Sequence, residues 1–106
     1  MRNLEDMSIL VAGGGSGIGA ACARRFCDQG ARVTISGRRL EKLEAIKDEL
    51  GERCHVARGD VTVQADRDVM LAAAVEHGGK LDALVNNAAN MYLSLIHISE
   101  PTRHRL

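Results

Sequence analysis

Aromatic side chains are nearly missing from this chain of 106 residues: Phe26 and Tyr92 stand alone, and there is no tryptophan. Stacking platforms for single-stranded nucleic acid or for sugars therefore cannot be assembled. Net charge is missing as well, because 14 Lys and Arg are balanced by 14 Asp and Glu. No long-range field attracts DNA, RNA or anionic lipid, and no nucleic-acid partner is expected. No apolar run is long enough to span a bilayer, and Met1–Asp6 carries acids where a signal peptide needs a basic stretch and an apolar segment. The expectation is no membrane partner and a cytoplasmic location. Cys22, Cys27 and Cys54 form an odd set without a Cys-x-x-Cys pair, which argues against a disulfide framework or a zinc site and for buried free thiols. His55, His77, His97 and His104 lie far apart in sequence without metal-ligand spacing, so no metal is expected.

What the chain does have is glycine, 11 residues of it, set between apolar runs. With 45% hydrophobic and 26% charged residues, it has the balance of one soluble domain or part of one. Ser8–Ala12 is a short, nearly continuous apolar run ending in three glycines, the pattern of a strand buried on both faces. From Gly17 to about Gln29, Ile18, Ala21, Cys22 and Phe26 recur at helical spacing, and Gly30 supplies a stop. Arg32–Ser36 is β-branched and ends at Gly37. Leu40, Leu43, Ile46 and Leu50 mark one face of a second helix closed by Gly51, and Cys54–Arg58 offers a third strand. Thr62 can cap a third helix over Gln64–His77, with Val69, Ala72 and Ala73 turned inward, before Leu81–Asn86 supplies strand four. The order βαβαβαβ implies a doubly wound α/β architecture with a parallel sheet. Right-handed crossovers then place the first two helices on one face, and a ligand belongs beyond the C-terminal strand ends, where winding reverses between strands one and four.

Strand one runs into Ala12-Gly13-Gly14-Gly15-Ser16-Gly17-Ile18-Gly19 and directly into a helix. Glycines there allow positive φ and close approach to a pyrophosphate, which free N–H groups and the helix dipole favour. No lysine follows Gly19, so this is not the phosphate loop of ATPases. The spacing Gly13-x-x-x-Gly17-x-Gly19, with Ile18 between the last two glycines, resembles the short-chain dehydrogenase/reductase family, although Ala12 stands where that family usually has Thr. Gly59-Asp60-Val61-Thr62 resembles its adenine-contacting segment, and Asn86-Asn87-Ala88-Ala89 is similar to its Asn-Asn-Ala-Gly motif.

The resemblance covers about residues 4 to 90. It implies a Rossmann-like fold, N-terminal half only, and a dinucleotide cofactor held by Gly13, Gly15, Ser16, Gly17, Ile18, Gly19, Arg38, Arg39, Asp60, Val61, Asn87 and Ala88. After strand two, an NAD-specific site presents a carboxylate to the ribose 2′-OH. This chain has Ser36-Gly37-Arg38-Arg39, and guanidinium groups match a 2′-phosphate, so NADP(H) is expected, with NAD(H) the alternative. Glu41 is the carboxylate that could reverse this preference. The resemblance further implies hydride transfer on a small alcohol or carbonyl substrate, and a homo-oligomeric full-length protein.

The family's catalytic Ser and Tyr-x-x-x-Lys are not found. Tyr92 has Ile96 four residues on, and Lys42, Lys47 and Lys80 all lie upstream, so no catalytic residue is assigned. Leu93–Arg103 alternates β-branched residues into Pro101, unlike the expected helix. Residue by residue it matches the in-frame translation of a transposase library adapter. Residues 1–92 are therefore expected to be a truncated dinucleotide-binding domain and 93–106 a non-native tail from sequencing read-through. Two other readings remain open: a stand-alone nucleotide-binding or regulatory module, and an unrelated doubly wound domain such as a flavin or response-regulator fold.

Overall fold

The structure, a computed structural model, describes residues 3–87. Ala88 and the tail from residue 93 lie outside the described residues. Four strands and three helices alternate: β1 (Ser8–Ala12), α1 (Gly17–Asp28), β2 (Arg32–Gly37), α2 (Leu40–Leu50), a 3₁₀ turn at Gly51–Arg53, β3 (Cys54–Arg58), α3 (Gln64–Gly78) and β4 (Ala83–Asn86). All pairings are parallel in the order β3-β2-β1-β4. The chain steps outward from β1 to β3, then returns to the opposite side of β1, and this reversal leaves a crevice at the C-terminal strand ends. The expected doubly wound sheet is present.

The two faces of the sheet are filled differently. Ile9, Val11, Val33 and Ile35 face α1 and α2, packing with Ala23, Cys27, Leu43 and Ile46. Leu10 and Ala12 face α3 and meet Met70 and Ala74. Each fully buried aliphatic side chain in these layers stabilises the fold by roughly 1.5–3 kcal/mol. α1 stops where Gly30 takes φ +97° and the Ala31 N–H donates to the Phe26 carbonyl at 3.0 Å, a left-handed glycine end. At the N-terminal strand ends, the Ser8 N–H donates to Asp82 Oδ2 at 2.9 Å while the Asp82 N–H donates to the Ser8 carbonyl at 2.8 Å.

Both helix faces differ from the pattern expected of the sequence. In α1 the buried row is Gly19, Ala20, Ala23 and Cys27, one position round from Ile18, Ala21, Cys22 and Phe26. Ile18 is 72% exposed. Small residues carry little weight in a hydrophobic count, yet they let a helix sit close to a sheet. In α3, Met70 and Ala74 are buried while Val69 is 58% exposed; Ala72 is exposed and Ala73 half-buried. The helix is rich in alanine on every side, so its rotation follows Met70, whose Cε fills the hollow left by Gly59. Thr62 does not cap α3: Val63 occupies that position, and the Thr62 hydroxyl donates to Asp60 instead. β4 begins at Ala83 rather than Leu81, because Asp82 is turned toward Ser8.

Candidate functional site

The glycine loop is built from glycine for three separate steric reasons. Gly13 takes φ +82°, a conformation that L residues rarely adopt. A Cβ at Gly14 would stand 2.6 Å from Cβ of Ile35, because the loop lies against β2. A Cβ at Gly19 would overlap the Gly13 carbonyl oxygen. That oxygen also accepts Nδ2–H of Asn87 at 3.1 Å, and the Asn87 N–H donates to the Ala12 carbonyl at 2.9 Å. Asn87 thus holds Gly13 from behind, and Gly19 leaves room for its carbonyl. The first two amides of the loop are engaged: Gly13 and Gly14 both donate to the Ser36 carbonyl, at 2.8 and 2.9 Å. The N–H groups of Gly15 through Gly19 donate to no acceptor among the described residues, and they lie at the start of α1, the positive end of its dipole.

Facing the loop across a cleft of about 570 Å³ are the turns that follow β2 and β3. That volume lies within the range of small-molecule sites. Gly13, Gly15 and Ser16 form one wall, and Arg38, Arg39, Asp60 and Val61 line the other. Arg38 and Arg39 are exposed, with Arg39 at the cap position of α2. Arg58 at the end of β3 donates Nε–H to the Arg38 carbonyl at 3.1 Å, tying the two turns together. Asp60 Oδ1 accepts both the N–H (2.9 Å) and the hydroxyl (2.7 Å) of Thr62. Those bonds, with a smaller contribution from the nearby charge of Arg38, hold the Asp60 carboxyl below the usual carboxylate range.

Seven of the expected residues therefore meet at one cleft. Gly17, Ile18, Gly19 and Asn87 do not line it, and Ala88 is outside the described residues. Glu41 is exposed in the first turn of α2 and does not line the cleft either. Gly37, Lys42, Leu43, Gly59 and Thr62 line it without having been singled out for it. Lys42 was legible as the residue three positions beyond Arg39, on the same side of the first helical turn.

Elsewhere the chemistry is quieter. Burial pushes the Cys27 thiol up to about 11 and the Cys54 thiol up to about 12, so neither is a nucleophile near neutral pH. Cys22 is half-buried, and all three thiols are free. His55 and His77, distant in sequence, stack with ring centroids 5.2 Å apart. Among the described residues no group of three or more His, Cys, Asp or Glu could hold a metal ion. No helix among them is long and apolar enough to cross a membrane.

A family model described as short chain dehydrogenase matches residues 7–103. An NADP-dependent 3-hydroxy acid dehydrogenase of Escherichia coli K12 is 43% identical over 82 residues, which cover 77% of this chain and 33% of that protein. An uncharacterized oxidoreductase of Staphylococcus epidermidis is 35% identical over 96 residues, covering 91% of this chain and 42% of that one. Among solved structures, a glucose dehydrogenase of Caenorhabditis elegans in the apo form superposes with a TM-score of 0.78 at 34% identity, covering 87% of this chain and 41% of that chain. A short-chain dehydrogenase/reductase of the same organism, solved with cofactor, gives 0.73 at 28% identity, covering 76% and 32%. The chain thus spans between a third and somewhat under half the length of these proteins.

Proposed function

The chain belongs to the short-chain dehydrogenase family, and from that premise we propose that its cleft holds the adenosine and pyrophosphate of a nicotinamide dinucleotide, NADP(H) in preference to NAD(H). The carrying observation is the division of labour between the walls. One wall offers unengaged amides and no side-chain cation; the other offers Arg38, Arg39 and Lys42 with no carboxylate but Asp60. Pyrophosphate suits the amides and the helix end. The guanidinium groups are then left for a second anion, the ribose 2′-phosphate. Gly17, Ile18 and Gly19 contribute through backbone N–H groups rather than as lining. Asn87 contributes by holding Gly13.

The base lies over Asp60 and Val61. Of the backbone N–H groups from Gly59 to Val63, four are engaged, by the Gly37 carbonyl, Asp66 Oδ2, Asp60 Oδ1 and the Asp60 carbonyl respectively. The N–H of Val61 is left over among the described residues, and so is the second carboxylate oxygen of Asp60, the residue before it. A donor next to an acceptor complements the adenine edge, which offers N1 and an exocyclic amine.

In the full-length protein the nicotinamide exchanges a hydride with a small alcohol or carbonyl compound; the relatives' names point to hydroxyl-bearing substrates. We read that protein as a cytoplasmic homo-oligomer. The 106 residues contain no Tyr-x-x-x-Lys, so this chain binds cofactor without turnover. The family match runs on to residue 103; residues 93–106 we nonetheless read as a non-native tail, on the adapter-like order of their residues. Sequencing the source DNA by a method that adds no adapter is expected to replace those codons with a frame that reaches Tyr-x-x-x-Lys; recovery of the same codons contradicts that reading.

Titration with NADPH and NADH tests the cofactor proposal. NADPH should bind about tenfold tighter or better, since charge-assisted hydrogen bonds contribute roughly 1.5–3 kcal/mol each, and Arg38→Ala with Arg39→Ala should erase that margin. Absence of binding, or tighter NADH, rejects it.

A further inference from the structure

We infer that Asp66 and Arg67, adjacent side chains in the first turn of α3, are positioning residues that set which base the cleft accepts. The inference rests on the proposed dinucleotide reading and goes beyond it, since neither residue lines the cleft. Both act on the turn that does. The Asp66 carboxylate accepts the Asp60 N–H at 2.8 Å, fixing the peptide plane before Asp60. Arg67 donates Nη1–H to the Val61 carbonyl at 2.7 Å, fixing the plane after Val61. Its other arm donates to Gln64 Oε1 at 2.9 Å, and its own N–H donates to the Val63 carbonyl at 3.0 Å.

The peptide between these two clamps carries the unengaged Val61 N–H. Rotating it would redirect that donor relative to the Asp60 carboxylate. From outside, the turn is otherwise held only where the Gly59 N–H meets the Gly37 carbonyl; its remaining bonds, from the Val63 N–H to the Asp60 carbonyl and from Thr62 to Asp60 Oδ1, lie within it and move with it. Arg67 Nε is buried without a partner, so the guanidinium stays in place through its two outer nitrogens alone. The donor–acceptor pair facing the base is therefore aligned from α3, a part of the fold that does not touch the ligand. Adenine matches that pair. Hypoxanthine, with an oxygen in place of the amine and a proton on N1, opposes it at both atoms, and rejection of this kind depends on the site's own polar groups holding still.

The test compares NADPH with its hypoxanthine analogue on the 106-residue chain by calorimetry. The chain is expected to favour NADPH by about tenfold or more. Asp66→Ala and Arg67→Met are expected to bring the two affinities to within roughly threefold of each other, mainly by weakening NADPH. Asp66→Asn, which keeps an oxygen to accept the Asp60 N–H, should retain most of the discrimination. Should Arg67→Met fail to fold, Gln64→Ala removes one support of the guanidinium from the exposed side, and the ratio should fall at least about twofold. A purely structural role would lower both affinities in parallel and leave the ratio unchanged, which overturns the inference. Equal binding of both ligands by the unaltered chain overturns it while the dinucleotide reading stands. Binding of neither removes the dinucleotide reading itself.

Discussion

The two ends of the parallel sheet use their polar groups in opposite ways. At the N-terminal strand ends the groups satisfy one another: Ser8 and Asp82 exchange two hydrogen bonds, the Ser8 hydroxyl donates to the Ala74 carbonyl, Arg53 donates to the Gly30 carbonyl, and His77 meets the Arg53 carbonyl. At the C-terminal ends, the amides of Gly15 to Gly19, the Val61 N–H and one oxygen of Asp60 have no partner among the described residues, and Gly15, Ser16, Asp60 and Val61 line a cleft together with Arg38, Arg39 and Lys42. Polar groups left without protein partners are costly when dry, and here they sit where a ligand can complete them. The site is thus marked by what its backbone leaves unsatisfied as much as by its side chains.

Paired glycine substitutions break this contrast most strongly. Gly19→Ala drives a methyl group into the Gly13 carbonyl at the open end. The strain of forcing one methyl into a tight contact is roughly 1–3 kcal/mol, so NADPH affinity should fall on the order of ten- to a hundredfold as the loop shifts. Gly78→Ala drives a methyl group into Ser8 at the closed end. Thermal unfolding should show a loss of similar size there, about 1–3 kcal/mol, while the NADPH dissociation constant of the folded protein stays within twofold or so. A ligand effect from Gly78→Ala would erase the distinction between the ends.

A smaller effect comes from acid. The Asp82 carboxyl is held below its ordinary value of 3.8, first by the Ser8 N–H and then by Lys80. A lowered folded pKa contributes stability that is present above the unfolded value and is lost as pH falls through the folded one. Asp82→Asn should therefore lower the urea midpoint at pH 7, and the gap to the unaltered chain should close on acidification below 3.8. A gap that does not vary with pH would remove the carboxylate from this role.

The strands and the glycine loop were legible in the sequence because their residues have few alternatives. Leu10 and Val11 form a run that only a two-sided core buries, and Gly13 needs a backbone angle that other residues resist. Helix faces were harder to read: Gly19, Ala20 and Ala23 weigh less than Ile18 in any hydrophobic pattern, yet they make the contact with the sheet. Arg38 and Arg39 were legible by their distance from the loop. Asp66 and Arg67 were not, because their partners are backbone groups of Asp60 and Val61, and no residue type records which carbonyl or amide it will meet. Asn87 carried a motif, but its bond to Gly13 depends on β1 and β4 lying side by side.

The central claim is that unsatisfied groups at the C-terminal strand ends form a nucleotide site. Amide chemical-shift mapping of the ¹⁵N-labelled chain during NADPH titration tests it most directly. Shifts should concentrate at Gly15 through Gly19 and at Val61, while Ser8, Asp82 and His77 stay still. Saturable shifts centred on Ser8 and Asp82, or none at the glycine loop with NADPH in large excess, would contradict it.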